Sequence, residues 1–218
     1  STDLAVFFCF EESFLKDPTF QDIDHELSGW LKKTIKTDGF LGKKSQSLML
    51  PSYGKLGMNR ILLLGMGYSK LAQATDFRQA MVRAIRMIGS MPVGRMTVIV
   101  PKDKKWIDSS CIQFLTEGAW LGSYRFDKYL TGDKKRPRML QEVELCFLTS
   151  EFAKFPKAES EEQITRGKII ASSVIKARNF VNEPASEMTP ERLAKEAKTI
   201  GKTSSHFTLE VLSAKQCE

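Results

Sequence analysis

Strand-sized apolar runs, rather than helix-length ones, constrain this chain most. The longest are Leu4–Phe10 and Ile61–Gly67, far short of the ~20 residues that cross a bilayer. Met96–Val100 and Glu144–Leu148 add two more β-type segments, and Ser47–Leu50 is a short one ahead of Pro51-Ser52-Tyr53-Gly54, which reads as a turn. Between them lie stretches of helical period. Asp22–Lys36 sets Ile23, Leu27, Trp30, Leu31 and Ile35 on one face, and a helix opened by Asp76 and Gln79 carries Phe77, Met81, Ala84, Ile85 and Ile88 up to Gly89. A third helix is expected over Ser110–Leu130. Strands alternating with helices predict an α/β fold whose mainly parallel or mixed sheet is covered on both faces.

The pattern changes after Thr149. Lys154–Glu162, with Pro156 and three glutamates, reads as a linker. Ser160 and Gln163 form a capping-box pair that would open a helix through Arg178, and Asn182-Glu183-Pro184-Ala185 is a non-helical connector. Thr189-Pro190 pairs an N-cap with a first-turn proline, starting a helix that ends at Gly201. Phe207, Leu209 and Val211 alternate with polar residues as a further strand. Ser213 and Gln216 form another capping-box pair just before Glu218, so the chain reads as a truncated piece of something longer.

Charge and cysteine usage narrow the function classes. The first 30 residues hold seven acids against one Lys, and the rest carries 32 bases against 19 acids. A basic surface attracts nucleic acid through counterion release. The two basic clusters, Lys102–Lys105 and Lys134–Arg138, read instead as solvated loops without interleaved aromatics. Cys9, Cys111, Cys146 and Cys217 form no C-x-x-C pair, which points to reduced thiols, a cytoplasmic location and no zinc site. The Ser1-Thr2-Asp3 start has no signal-peptide character, and a soluble chain without a membrane role is expected.

No active site can be assembled from the residues. Gly65-Met66-Gly67 follows a strand, where a phosphate loop would sit, but the third glycine is missing and a tight turn is the better reading. His25 and His206 have no His or Cys partner at metal-ligand spacing. Ser109-Ser110 and Ser172-Ser173 lack a nucleophile-elbow setting, and no carboxylate group resembles a two-metal site.

Two segments carry a resemblance. Glu117-Gly118-Ala119-Trp120-Leu121-Gly122-Ser123-Tyr124-Arg125-Phe126-Asp127-Lys128-Tyr129 is similar to the EGALLGSYRFDRY stretch of the leucyl (cytosol) aminopeptidases, the M17 metallopeptidases. Ala177–Ala194 resembles the family's ARDLVNTPANVMTPEYLA, with Glu183 and Ser186 replacing the commoner Thr and Asn.

The resemblance implies a three-layer, macro-domain-like α/β domain over residues 1–158. A linker and connector helix would follow over 159–181, and the truncated start of a metallopeptidase catalytic domain over 182–218. It further implies a parent that removes N-terminal residues from peptides. Two divalent ions of zinc or manganese type would activate a water there, with an arginine and a bicarbonate assisting, in a cytoplasmic homohexamer. The family's NTDAEGR signature has no counterpart in these residues, so no catalytic, metal or cofactor-binding residue is carried over. Asn182 and Pro184 match the motif and are read as shaping a turn. This segment alone is then expected to be inactive, its partners being the remainder of the catalytic domain and further copies of itself. The alternative is a basic nucleic-acid-binding module, or a macro-like nucleotide pocket near Gly65–Gly67.

Overall fold

A seven-residue apolar run can be buried on both sides only inside a sheet, and that is where Leu4–Phe10 sits. The computed structural model describes residues 2–89, 91–100, 109–135, 139–147, 156–203, 206 and 208–217. It divides into two compact units, Ser1–Val174 and Ile175–Glu218.

In the first unit, β1 (Thr2–Phe10) lies at the centre of a five-stranded sheet. It pairs in parallel with β3 (Met58–Gly67) on one side and β4 (Arg95–Val100) on the other. The edges are β2 (Ser47–Pro51), antiparallel to β3, and β5 (Glu142–Phe147), parallel to β4. Alternation divides the side chains between two cores. Ala5, Phe7, Cys9, Ile61 and Leu63 pack beneath α1 (Pro18–Glu26) and α2 (Trp30–Thr37), joined by Phe14, Phe20, Leu31 and Ile35. Leu4, Val6, Phe8, Leu62, Leu64, Met96 and Val98 form the opposite core with Phe77, Met81, Ala84 and Leu115. Those come from α3 (Ala74–Ile88) and α4 (Ser109–Ser123). The mixed sheet with helices on both faces is therefore the fold.

Several local expectations are corrected. The helix read over Asp22–Lys36 is two helices, because Ser28 and Gly29 both take left-handed φ values of 56° and 76°. The backbone reverses there, with the Gly29 amide donating to the Asp24 carbonyl at 2.8 Å, and the Asp24 carboxylate then accepts the Lys32 amide at 2.9 Å. In α3 the N-cap is Gln73 rather than Asp76. Asp76 is the third helical residue and its carboxylate accepts the Gln73 amide at 2.9 Å. Helix α4 stops at Ser123, seven residues short of Leu130, where the Ser123 hydroxyl turns back onto the Ala119 carbonyl at 2.7 Å.

The expected linker over Lys154–Glu162 is also revised. Residues 154–155 lie outside the described set, and Lys157 already begins α5 (Lys157–Asn182). Pro156 precedes the first turn and its carbonyl accepts the Ser160 amide at 3.2 Å, so Ser160 is inside the helix rather than its cap. Glutamates in an opening turn are stabilised by the helix dipole, which is why a polar, acidic stretch is helical here.

In the second unit, α6 (Pro190–Gly201) begins as anticipated, with the Thr189 hydroxyl accepting the Arg192 amide at 3.3 Å. The strand read over Phe207–Val211 does not appear among the described residues: Thr208–Val211 join no ladder there, and Phe207 lies outside them. The last described element, α7 (Ala214–Cys217), is one turn long, and the Gln216 amide oxygen accepts both the Ser213 amide and hydroxyl.

Candidate functional site

The motif Glu117–Tyr129 occupies the second half of α4 and the turn after it. Gly118 and Gly122 are one turn apart and both face α3. A Cβ on Gly118 would lie 2.6 Å from the Arg78 carbonyl oxygen and 2.6 Å from Met81 Cβ. On Gly122 it would lie 2.8 Å from Ile85 Cβ. The two helices therefore meet backbone to backbone, which only residues without side chains permit.

Beside this contact the Glu117 carboxylate is 1% exposed. One oxygen accepts from Arg78 Nη1 at 2.9 Å and the other from Gln113 Nε2 at 2.7 Å. The Arg78 guanidinium also lies 5.7 Å from the Phe114 ring centroid. A buried charge needs a partner and hydrogen bonds to both oxygens, and this one has them. The arrangement latches α3 to α4. Sequence reading recovered Glu117 but missed Arg78 and Gln113, since Arg78 is remote in sequence and has no pattern of its own.

The second motif, Ala177–Ala194, spans the end of α5, a turn and the start of α6. The Pro184 carbonyl accepts the Glu187 and Met188 amides at 2.8 and 2.9 Å, and Arg192 pairs with Glu187 at 3.2 Å. Lys176 reaches Glu196 at 3.1 Å, clamping α5 to α6 within the second unit.

Gly65-Met66-Gly67 is the last stretch of β3, at the carboxyl end of the parallel strands, where open α/β sheets place ligands. That corner is filled by the chain itself. A Cβ on Gly65 would come within 2.0 Å of the Lys43 carbonyl oxygen, and the Gly65 and Gly67 amides donate to the Gln46 and Gly42 carbonyls at 2.8 and 2.9 Å. The glycines admit the 42–46 loop, and the phosphate-loop reading is not favoured.

Around this crossing Arg83 Nη2 donates to the Gly65 carbonyl at 3.1 Å and Lys44 pairs with Asp76 at 2.8 Å. Burial pushes the Asp76 carboxyl up, but the Lys44 hydrogen bond, the Gln73 amide and the Lys44 and Arg83 charges outweigh it and hold it below its ordinary value. Burial lowers Arg83, with Asp76 opposing. The capping pattern exposed Asp76 in the sequence; nothing there linked it to Lys44 or Arg83.

His25 is exposed on α1 and His206 is exposed in the second unit. Cys9 and Cys111 are buried and Cys146 is half-buried, burial driving the Cys9 thiol far up. Ser172 and Ser173 are exposed on α5, their hydroxyls donating to the Ile169 carbonyl. Lys134 and Lys135 are exposed, while Lys102–Lys105 and residues 136–138 lie outside the described set. Among the described residues no group of three or more His, Cys, Asp or Glu side chains could hold a metal, and no helix is long and apolar enough to cross a membrane.

Comparison with known proteins turns this geometry into a kinship. Residues 6–133 match the model of the cytosol aminopeptidase family, N-terminal domain. The probable cytosol aminopeptidase of Persephonella marina is 28% identical over 91% of this chain and 39% of its own length. That of Geobacter sp. strain M21 is 30% identical over 92% and 39%. A solved tomato leucine aminopeptidase mutant superposes along the whole chain and 43% of its own, with a TM-score of 0.82 and 26% identity. The bottromycin maturation enzyme BotP shares the fold, at a TM-score of 0.65. The chain thus spans about two-fifths of the length of the curated relatives it matches. With the family's N-terminal domain matched over residues 6–133 and a leucine aminopeptidase superposing at a TM-score of 0.82, the chain belongs to the M17 cytosol aminopeptidase family.

Proposed function

We propose that these residues are the amino-terminal portion of a cytoplasmic M17 leucyl aminopeptidase, a hydrolase that removes N-terminal residues from peptides. The observation that carries the reading is the family match over residues 6–133. In this reading residues 1–158 are the amino-terminal domain, 159–181 the linker and connector helix, and 182–218 the beginning of the catalytic domain. The segment contributes assembly, as part of a homohexamer, and the positioning of the catalytic domain.

Two divalent ions of zinc or manganese type belong to that catalytic domain, where such a pair polarises the scissile carbonyl and activates water. The described residues do not fit them. Glu117, the most buried carboxylate, is consumed by Arg78 and Gln113, and no cluster of donors accompanies it. No step of the hydrolysis is assigned to this chain. The nucleotide-pocket alternative is not carried forward, because loop 42–46 fills the Gly65–Gly67 corner, and the family match does not favour the nucleic-acid one.

The test compares the 218-residue chain with the intact gene product on a leucine anilide substrate, with manganese or zinc supplied and with a chelator. The intact product should cleave and lose activity to the chelator, and the 218 residues alone should give no turnover. Metal-dependent cleavage by the 218 residues, or an intact product without it, would overturn the assignment.

A further inference from the structure

The glycines at the end of β3 decide what the surface around them exposes. Because Gly65 and Gly67 admit the 42–46 loop, that loop passes beside the turn that follows β3. Gly42 seats on Phe14, where a Cβ would lie 3.3 Å from the ring. The short helical turn Phe14–Lys16 thereby joins the same corner, with Phe14 buried and Leu15 outside. The turn after β3 is fixed at both ends. The Ser69 amide donates to the Glu12 carboxylate at 2.8 Å, and the Leu71 and Ala72 amides donate to the Tyr68 carbonyl at 3.0 and 3.2 Å. Ala72 is buried by this turn, and Tyr68 and Leu71 are left in water. Three loops therefore meet at the carboxyl end of the parallel strands. They carry Leu15, Leu41, Tyr68 and Leu71, which are 43%, 54%, 55% and 78% exposed. Exposed apolar side chains are ordinary when they stand singly, but here all three loops bring them to one corner. Each exposed leucine also has a lysine within two residues: Lys16, Lys43 and Lys70 are all exposed. Among the described residues none of the three joins an ion pair.

We infer that this corner is a docking surface for an acidic polypeptide segment in which carboxylates alternate with large apolar side chains. Charge complementarity selects the occupant. The leucines and Tyr68 gain by leaving water, and the three lysines call for negative charge beside the apolar groups. A nucleic acid would satisfy the lysines and waste the leucines, since Tyr68 is the one aromatic ring among these exposed groups on which a base could stack. An anionic bilayer would bring a sheet of negative charge onto the exposed Glu12 carboxylate, which the Ser69 amide fixes in the same corner. A peptide avoids that conflict by placing its carboxylates only where the lysines stand. The surface requires nothing of the proposed function.

The test uses the intact gene product and a peptide of repeated Asp-Leu-Glu-Phe units, acetylated at its amino end and labelled with fluorescein at the other. The blocked end keeps it from serving as a substrate for removal of N-terminal residues. Fluorescence anisotropy should show saturable binding about tenfold tighter than for Lys-Leu-Lys-Phe or Asp-Ser-Glu-Ser repeats, and weakening as salt is added. Leu71→Glu should weaken it about tenfold, and so should Lys43→Glu with Lys70→Glu. Tyr53→Glu adds the same charge at a 72% exposed site in the turn before β3 and should leave binding unchanged. All of these side chains are exposed, so the variants should keep the wild-type melting temperature. Absence of binding, equal binding of the three peptides, or binding indifferent to the Leu71 and Lys43–Lys70 substitutions overturns the inference. So does tighter binding of phosphatidylserine vesicles or of oligodeoxythymidylate that the same substitutions abolish, which would make a bilayer or a nucleic acid the occupant. A smaller oligomer on Leu71→Glu also overturns it, because the corner would then be a contact between copies.

Discussion

Replacing Gly118 by alanine sets two effects of known size against each other. Inside a helix, Gly→Ala is worth about 0.8–1.0 kcal/mol in favour of folding. Against it stands a Cβ 2.6 Å from the Arg78 carbonyl oxygen and 2.6 Å from Met81 Cβ, where ordinary contacts begin near ~3.5 Å. Neither neighbour is the end of a flexible side chain, so relief requires α4 to move away from α3 by about 1 Å. That movement also loosens Gly122 against Ile85 and lengthens the Arg78–Glu117 contact of 2.9 Å. Overpacking costs about 1–3 kcal/mol, and two rigid neighbours at 2.6 Å place this site in the upper part of that range, about 2–3 kcal/mol, so the net expectation is a loss of about 1–2 kcal/mol. For a chain of this size the melting temperature should fall by about 2–8 °C. Thermal and urea unfolding followed by circular dichroism measure it. The control is Gly201→Ala in the last turn of α6, where the nearest atoms are 3.7 and 3.8 Å away. With no clash to oppose helix propensity, it should be neutral to stabilising by up to about 1 kcal/mol. An unchanged or raised melting temperature for Gly118→Ala would mean that helix propensity wins, and the backbone-to-backbone account of the α3–α4 contact would be wrong.

Two further perturbations address the corner at the end of β3. Gly65→Ala drives a Cβ into the Lys43 carbonyl oxygen and breaks the hydrogen bonds from the Gly65 and Gly67 amides that hold loop 42–46, at a cost of about 2–5 kcal/mol in urea unfolding; a change below about 0.5 kcal/mol would refute the packing role of that glycine. Asp76→Asn should cost up to about 1 kcal/mol near neutral pH, a modest figure because Lys44 is 58% exposed. Since the folded carboxyl titrates below its ordinary 3.8, its contribution is complete above that value and is lost as pH falls through the lower native one. The gap between wild type and Asp76→Asn should therefore close in acid, and a gap that persists there would count against the Lys44 contact.

The strands were legible because burial on both faces of a parallel sheet leaves a continuous apolar run, as in Leu4–Phe10 and Ile61–Gly67. Helix α3 was legible because Phe77, Met81, Ala84, Ile85 and Ile88 all face the core. The break between α1 and α2 was not, because Leu27 and Leu31 stay buried on both sides of it and the period survives the interruption. Its signal was Ser28-Gly29, a left-handed pair inside an otherwise helical pattern. The helical start at Lys157 was hidden by polarity: Glu159 and Glu161 read as linker residues until the helix dipole and the Lys157–Glu161 pair at 3.7 Å are considered. Glu117 stood out in a motif, but its role needs a partner from another helix, which local patterning does not encode.

That role bears on what the most recognisable stretch of this chain does for the fold. Gly118 and Gly122 bring α4 onto α3, and Glu117 ties the pair through Arg78. On α4 itself Gln113 holds the other Glu117 oxygen, and a Cβ on Gly167 of α5 would lie 2.8 Å from the Gln113 carbonyl oxygen and 2.9 Å from Thr116 Cβ. The three helices are thus joined by consecutive close contacts within the first unit, each at a residue whose side chain is a hydrogen atom. Substitutions that add even one carbon at these points must move a helix, whereas substitutions on the exposed face of α4, such as at Trp120, need move nothing. A motif built from such contacts specifies where α5 begins its course.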